Sequence, residues 1–552
     1  MVINEYDICV HKGGMMVITD YLDRNATIYG PEPAVVELCC DNKQGGFSAN
    51  ETYSFRRREM SWYSFNADSN RMANLLLSHG VKKGDKIGIL MMNCLEWFSV
   101  YFGILKAGCI AVPLSFRYTS REIAHCIEIA DVEILVFSAD FIERLEQIPQ
   151  TIYALRHSFC MGPEHDLPCY AEDCNRLLSL CSDQAPSVCL HEDDLAAIYF
   201  TSGTTGFPKA ILHCHKGLVA SCQTEQKHHS QTRDDVFLCI PPLYHTGALM
   251  FWFGNLISGS RAVLLQSVTP ELILRAVSQE KCTIVWLLVP WATDILFALE
   301  SGRLKKEDYL LDQWRLMHIG AQPVPASLVL RWLRCFPWQQ YDTDYGLSEA
   351  LGPGCVHLGV ENLRKVGAIG VPGYGWEVCI LDDAGADVSR GESGELAVKG
   401  PGVMIGYYKD PAATEKVLHD GWLRTGDIAR QDEEGFYYLL DRKKDVIISG
   451  GENIYPVQIE DFIRKNEKVN DVAVIGLPDQ RLGEIAAAII EIKESVSCTE
   501  EEISRFCMEL PRFKRPRRIF FEDIPRNPVG KIEKNVLRQR HRVSCLVEQQ
   551  LR

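Results

Sequence analysis

The sequence predicts an α/β protein: a large, multi-sheet N-terminal part that carries a β-rich subdomain, then a small α+β domain. Three observations predict it. Apolar strand-like runs alternate with helix-period segments over residues 70–137 and again over 235–340, the order that builds parallel βαβ units. From about Gly367 the texture turns to short strands parted by Gly and Asp. A charged break, Asp441-Arg442-Lys443-Lys444-Asp445, then sets off roughly 110 residues of mixed character, enough for a small domain. The expected division is 1–441, with the β-rich subdomain over about 367–441, and 442–552.

The elements follow in order. Residues 1 to about 50 carry little periodic signal and are expected to be irregular. Asn70 to His79 sets Met72, Leu75, Leu76 and Leu77 at helical spacing. Lys86 to Met92 reads as a buried strand, Glu96 to Lys106 as a helix and Cys109 to Leu114 as a strand. Ile123 to Ala130 is helical, and Val132 to Phe137 is a strand. Farther on, Glu377 to Leu381 and Gly394 to Lys399 read as short strands. The sequence shows no repeat and no low-complexity segment.

Bulk properties exclude several classes. At 552 residues the chain outgrows a single hydrophobic core. With 46% hydrophobic and 24% charged residues it is not a disordered chain. A formal net charge of -15 argues against nonspecific nucleic-acid binding. The 21 cysteines show no Cys-x-x-Cys spacing, and many unpatterned thiols fit a reducing cytoplasm. His213-Cys214-His215 lacks further partners at metal-ligand spacing. Early acids replace the basic start of a signal peptide. The longest apolar stretch, near Ile284 to Phe297, is broken by Pro290 and Asp294 and is too short to span a bilayer. Gln550-Leu551-Arg552 carries no anchor or peroxisomal address.

The chemistry centres on Tyr199 to Lys209. The apolar run Leu195 to Phe200 reads as a buried strand that breaks into hydroxyls and glycines and ends in a lysine. Gly203 and Gly206 allow close backbone approach to a ligand. Thr201, Ser202, Thr204 and Thr205 supply hydroxyl donors, and Lys209 a compact positive charge. The set suits a polyphosphate. It is not a Walker A loop, because the glycines are too close and no Gly-Lys-Ser/Thr follows. A generic loop of this composition would be a polar connector.

Other segments follow downstream. Tyr244-His245-Thr246-Gly247 succeeds a strand at Val236 to Ile240, and Met250-Phe251-Trp252-Phe253 is either core helix or pocket lining. Gly320-Ala321-Gln322 reads as a turn. In Asp344-Tyr345-Gly346-Leu347-Ser348-Glu349 an aromatic can stack on a base and a carboxylate can hold Mg²⁺, although Ser-Glu also suits a helix N-cap. Asp427 precedes a hairpin turn at Asp432 to Gly435. Ser449-Gly450-Gly451-Glu452 follows another short strand. Lys531 sits on a Pro/Gly-rich loop and could be plain solvated surface.

In this order and spacing the segments resemble the adenylate-forming superfamily of acyl-CoA synthetases, adenylation domains and luciferases, and within it the AMP-forming acyl-CoA ligases most of all. The resemblance runs from Tyr199 to Lys531. Ala210 departs from a usual glycine, and so does Asp441.

The resemblance implies the superfamily fold with a mobile C-terminal lid. It also implies roles. Thr201 to Gly206 and Lys209 would hold ATP phosphates. Gly320, Ala321, Gln322, Asp344, Tyr345, Gly346 and Ser348 would lie beside the nucleotide and substrate. Glu349 would serve Mg²⁺, and Asp427 and Arg442 the ribose. Lys531 would be catalytic, Lys444 the hinge, and Gly450 and Gly451 the coenzyme A path. His245 would flank the acyl site, which Tyr244, Met250 and Trp291 would line. No Arg or Lys occurs in 244–255 or 287–296, so the acid is expected to be hydrophobic: medium- or long-chain, aryl or ring-bearing. The alternatives are an acyl-AMP ligase that loads a carrier protein, or a non-catalytic nucleotide-binding regulator. The expected partners are a small carboxylic acid, ATP and coenzyme A, with the chain acting as a monomer or homodimer.

Overall fold

Successive residues of the predicted strands enter opposite cores. Ile87 and Ile89 of the strand Lys86–Leu90 join one core and Leu90 joins another; Ile134 and Val136 of Ile134–Ser138 join the first, Leu135 and Phe137 the second. A parallel sheet covered on both faces demands this pattern. The computed structural model describes residues 16–40, 55–162, 167–201, 208–320, 324–358, 360–450, 452–493, 496–526 and 532–541.

Two compact units emerge. The first gathers residues 1–366, 370–378 and 398–423 and the second 367–369, 379–397 and 424–552. In the first, one sheet of eight described strands runs in the order Gly406–Tyr407, Lys209–Cys214, Leu195–Thr201, Ile110–Pro113, Lys86–Leu90, Ile134–Ser138, His157–Met161, Glu172–Asp173. A sheet of nine runs Val371–Pro372, Gly352–Leu358, Gln340–Leu347, Leu316–Gly320, Ile284–Leu288, Val236–Cys239, Arg261–Leu265, Pro33–Cys40, Phe55–Ser61.

One core joins both sheets through the helices Trp62–Ser78, Leu95–Lys106, His215–His228 and Thr246–Ser258. Its centre is aromatic. Trp252 is fully buried, 4.3 Å from Phe98 and 5.8 Å from both Phe65 and Phe102 between ring centres. Each such pair adds about 0.5–1.5 kcal/mol beyond its burial. Trp252 is therefore core rather than pocket. The hydroxyls of Tyr101 and Tyr199 meet at 2.7 Å inside this core, so neither is buried without a partner.

The N-terminal segment corrects one expectation. Residues 1 to about 50 are not irregular throughout: Ile18–Tyr29 is a helix, and Pro33–Cys40 is a strand parallel to Arg261–Leu265. The charge at Glu37 interrupts the apolar run of that strand and hides it from sequence reading. In the fold Glu37 is buried and accepts from Arg58 Nη2 at 2.7 Å and from the Leu95 amide at 2.9 Å, as a buried carboxylate must. The predicted helix at 70–79 extends back to Trp62, where the Ser61 hydroxyl caps it by accepting from the Ser64 amide.

In the second unit, Trp422–Gln431 pairs antiparallel with Tyr437–Arg442 around the expected turn at 432–435, with Asp427 opposite Arg442. A separate sheet runs Glu452–Ile454, Ile447–Ser449, Gly483–Ile492, Val469–Asp479, and Arg518–Phe521 pairs with Gly483–Ile492. No helix of the described residues is long and apolar enough to cross a membrane.

Candidate active site

The strand Leu195–Thr201 delivers the chain to the hydroxyl-rich loop, and Lys209–Cys214 carries it away antiparallel. Thr201 and Lys209 are register partners, so the first hydroxyl and the lysine stand across from each other at the loop's base. Ser202, Gly203, Thr204, Thr205 and Gly206 lie outside the described residues, as do Ala321, Gln322, Gly451 and Lys531 and the side chain of Met250.

Lys209 does not stand alone. Its ammonium lies 4.7 Å from the centre of the Tyr407 ring, within cation–π reach. The Tyr407 hydroxyl donates to Glu349 Oε1 at 3.0 Å. Burial and the adjacent carboxylate both push that phenol up, so it stays protonated and remains a donor. Tyr407 occupies its place because Gly406–Tyr407 pairs beside Lys209–Cys214, with Tyr407 opposite Ile211. Sequence reading missed it. An aromatic after a Gly carries no signal until the sheet edge brings it to the lysine.

The Tyr345 segment is a strand, not a helix cap. Gln340–Leu347 pairs with Gly352–Leu358 and bulges between Tyr345 and Gly346, and a 3₁₀ turn, Ser348–Ala350, follows. Tyr345 is buried, and Glu349 is half-buried. Two contacts fix the turn. The Met404 amide donates to the Glu349 carbonyl at 2.8 Å, and His213 Nε2 bonds the Ser348 carbonyl at 3.0 Å. Burial lowers the His213 pKa to about 3, only partly opposed by that carbonyl. The ring is therefore neutral and carries its donor hydrogen on Nε2. His213 is a support for this turn, which absorbs the residue most suggestive of a metal in His213-Cys214-His215.

The acyl-wall candidates divide. Tyr244 and His245 lie side by side with ring centres 4.5 Å apart, and the Phe116 ring meets Tyr244 edge-on at 5.1 Å. His245 is the N-cap residue of Thr246–Ser258. Trp291 is half-buried against the core that contains Trp314 and Trp332. Trp286 packs against the start of the helix Thr246–Ser258: a Cβ at Gly247 would lie 2.7 Å from Trp286 Cη2. A Cβ at Gly320 would lie 3.3 Å from Asp344 Oδ1 and 3.7 Å from His318 Nε2. This polar flank was not foreseen, because His318 and Asp344 approach only when their strands pair.

The second unit holds the other candidates. Arg442 Nε bonds Asp427 Oδ1 at 2.7 Å across the strand pair; Asp427 is buried and the Arg442 side chain is 53% exposed. Lys444 is exposed in the turn that follows. Gly450 has φ of +61°, which favours glycine, and its amide donates to the Leu482 carbonyl at 2.8 Å.

A mixed α/β fold with a hydroxyl loop between antiparallel strands, a lysine and a carboxylate at its base, and a smaller following unit defines an adenylate-forming enzyme. The chain belongs to the AMP-binding enzyme family: that family's model matches residues 40–408, and the AMP-binding enzyme C-terminal domain matches 458–531. Its relatives are acyl-CoA ligases. The chain is 31% identical over 492 residues to the long-chain-fatty-acid–CoA ligase FadD13 of Mycobacterium tuberculosis, covering 87% of this chain and 93% of that protein. It is 33% identical to feruloyl-CoA synthase of Amycolatopsis sp over 85% of this chain and 91% of that protein. Among solved structures, ATP-bound MatB from Rhodopseudomonas palustris aligns with a TM-score of 0.82 at 27% identity, covering 96% of this chain and 99% of that one.

Proposed function

We propose that the chain is an AMP-forming acid–thiol ligase that activates a hydrophobic carboxylic acid with MgATP and passes the acyl group to coenzyme A. The observation that carries this reading is the Lys209–Tyr407–Glu349 arrangement at the base of the hydroxyl loop, within a chain whose relatives are named acyl-CoA ligases. A carboxylate oxygen attacks the α-phosphorus of ATP and pyrophosphate leaves, giving an acyl-adenylate. In-line displacement of this kind depends on positioning and charge neutralisation. Lys209 and the loop hydroxyls hold the phosphates, Tyr345 stacks on adenine, Asp427 and Arg442 hold the ribose, and Lys531 bridges the acid and the α-phosphate.

Glu349 fits the magnesium role, since it is a half-buried hard-oxygen ligand and Tyr407 engages only one of its oxygens. When bound, Mg²⁺ neutralises phosphate charge. The lid, 442–552, then turns about Lys444, withdraws Lys531 and presents Gly450 and Gly451. The coenzyme A thiol attacks the acyl carbon, and AMP leaves. His245 and Tyr244 flank the acyl group, and Trp286 limits its bulk.

The deciding experiment measures AMP release over a panel of very short, charged, medium-chain, long-chain, aryl and ring-bearing acids, each with and without coenzyme A. Coenzyme-dependent AMP and thioester from one class supports the reading and names the acid. Adenylate formation that ignores coenzyme A moves the assignment to carrier-protein loading. Turnover of charged or very short acids alone overturns the hydrophobic pocket.

A further inference from the structure

Around His318 the fold gathers three carboxyl groups and two imidazoles, all buried but Asp344. His229 is the C-cap residue of His215–His228, and His318 and Asp342 are register partners on neighbouring parallel strands. All three are at most 3% exposed. His229 Nε2 lies 3.0 Å from Asp342 Oδ2, His318 Nδ1 lies 3.3 Å from the same oxygen, and the two nitrogens are 3.3 Å apart.

These three atoms form a nearly equilateral triangle, an arrangement that two hydrogen bonds to one carboxylate oxygen or three ligands on one ion would each give. A tetrahedral ion with bonds of about 2.0–2.1 Å sets its ligand atoms about 3.3–3.4 Å apart. The triangle has the size of one face of that tetrahedron.

The surroundings complete the case. His318 Nε2 faces Asp344 Oδ1 at 3.4 Å, the carboxylate–imidazole pairing that orients a metal-bound histidine and fixes its tautomer. Glu225 Oε2 lies 3.6 Å from His229 Nε2. Both Glu225 oxygens and Asp342 Oδ1 are buried without a hydrogen-bond partner among the described residues. Three buried carboxyl oxygens thus lie open to a cation.

We propose that His229 Nε2, His318 Nδ1 and Asp342 Oδ2 bind a divalent transition-metal ion of the zinc class, with the Glu225 carboxylate as the reserve fourth ligand. Two imidazoles and a carboxylate select zinc, cobalt or nickel over magnesium. The site is separate from the magnesium that accompanies ATP and does not rest on the ligase reading. It ties the end of one helix to the two strands that lead to Gly320 and to Tyr345. Its burial means the ion enters as the chain folds.

The test uses the full chain without a histidine tag, analysed by elemental emission after dialysis. His79, His157 and Glu172 also cluster, half-exposed, so the measurement is repeated in His157→Ala. The expected result is close to one zinc per chain in both proteins, falling at least fivefold in Asp342→Asn and in His229→Ala. Cobalt-loaded protein shows the visible absorption of a tetrahedral nitrogen–oxygen site, and a strong chelator lowers the melting temperature by several degrees, restored by zinc and not by magnesium. If His229→Ala fails to fold, the cobalt spectrum of the parent chain decides. Zinc below a tenth per chain with no cobalt spectrum overturns the proposal and leaves a proton-held cluster. Metal lost in His157→Ala assigns the ion to the surface group and overturns it equally.

Discussion

The Tyr407 hydroxyl donates to Glu349 Oε1 at 3.0 Å while its ring lies 4.7 Å from the Lys209 ammonium. One side chain thus touches both the cation and the anion proposed to act on the phosphates. A hydrogen bond to a charged group contributes about 1.5–3 kcal/mol. Tyr407→Phe keeps the ring and removes the hydroxyl, so adenylation should fall about 10- to 100-fold, with a higher magnesium requirement. Pyrophosphate release against total Mg²⁺ checks this. A rate within twofold of the parent removes Tyr407 from the site.

Asp427 and Arg442 face each other across one strand pair. The Arg442 side chain is 53% exposed, so the ion pair itself contributes little, about 0–1 kcal/mol. The larger effect belongs to the ribose. Asp427→Asn should raise the KM for ATP about tenfold or more while the melting temperature barely moves. A large melting shift with an unchanged KM would make the pair structural.

The two half-reactions separate through two residues. Lys531→Ala should slow adenylate formation by about 100-fold or more and spare thioester formation from supplied acyl-adenylate. Gly451→Trp should do the reverse. Equal losses in both half-reactions, for either variant, contradict the lid assignment.

Gly247 leaves room for Trp286, since an added Cβ would lie 2.7 Å from that ring. Overpacking of this kind costs about 1–3 kcal/mol. Gly247→Ala should raise the KM for the acid at least fivefold and leave the KM for ATP within twofold. Adding Trp286→Phe should recover most of the loss, a coupling expected only of residues in contact. If the double variant is additive, the two do not share one wall.

Asp441 gives a pH signature. Burial raises its carboxyl to about 6 from the ordinary 3.8, and Lys534 only partly opposes the rise. Protonation therefore favours the folded form. That stability is complete below about pH 4 and is lost as pH rises through about 6. At pH 7.5 the ionised group costs about 2–3 kcal/mol. Asp441→Asn should melt higher than the parent at pH 7.5, and the gap should close by pH 4.5. A gap that widens on acidification reverses the sign and refutes the account.

The parallel strands Lys86–Leu90, Ile110–Pro113 and Ile134–Ser138 were legible because each is a largely apolar run buried on two faces, as with Ile134 to Phe137. Pro33–Cys40 was not, since Glu37 breaks its run and its partner Arg58 is distant in sequence. Lys209 and Glu349 were singled out by the family resemblance, since local composition alone suits a polar connector and a helix cap. Tyr407, His213 and the His229–His318–Asp342 group were not, because their meaning lies in contacts between segments more than 20 residues apart. Periodicity reports what one segment buries and is silent on which partner it meets.

The alternation along Leu316–Gly320 and Gln340–Leu347 has an evolutionary consequence. Odd-numbered Met317, Ile319 and Tyr341 lie in one hydrophobic core, while even-numbered His318, Gly320, Asp342 and Asp344 gather on the opposite face. Selection can rewrite the second set without touching the first. Change at even positions would bear on the proposed metal group and the nucleotide wall while odd positions keep the chain folded. Diversification would then leave its record on one face of two neighbouring strands.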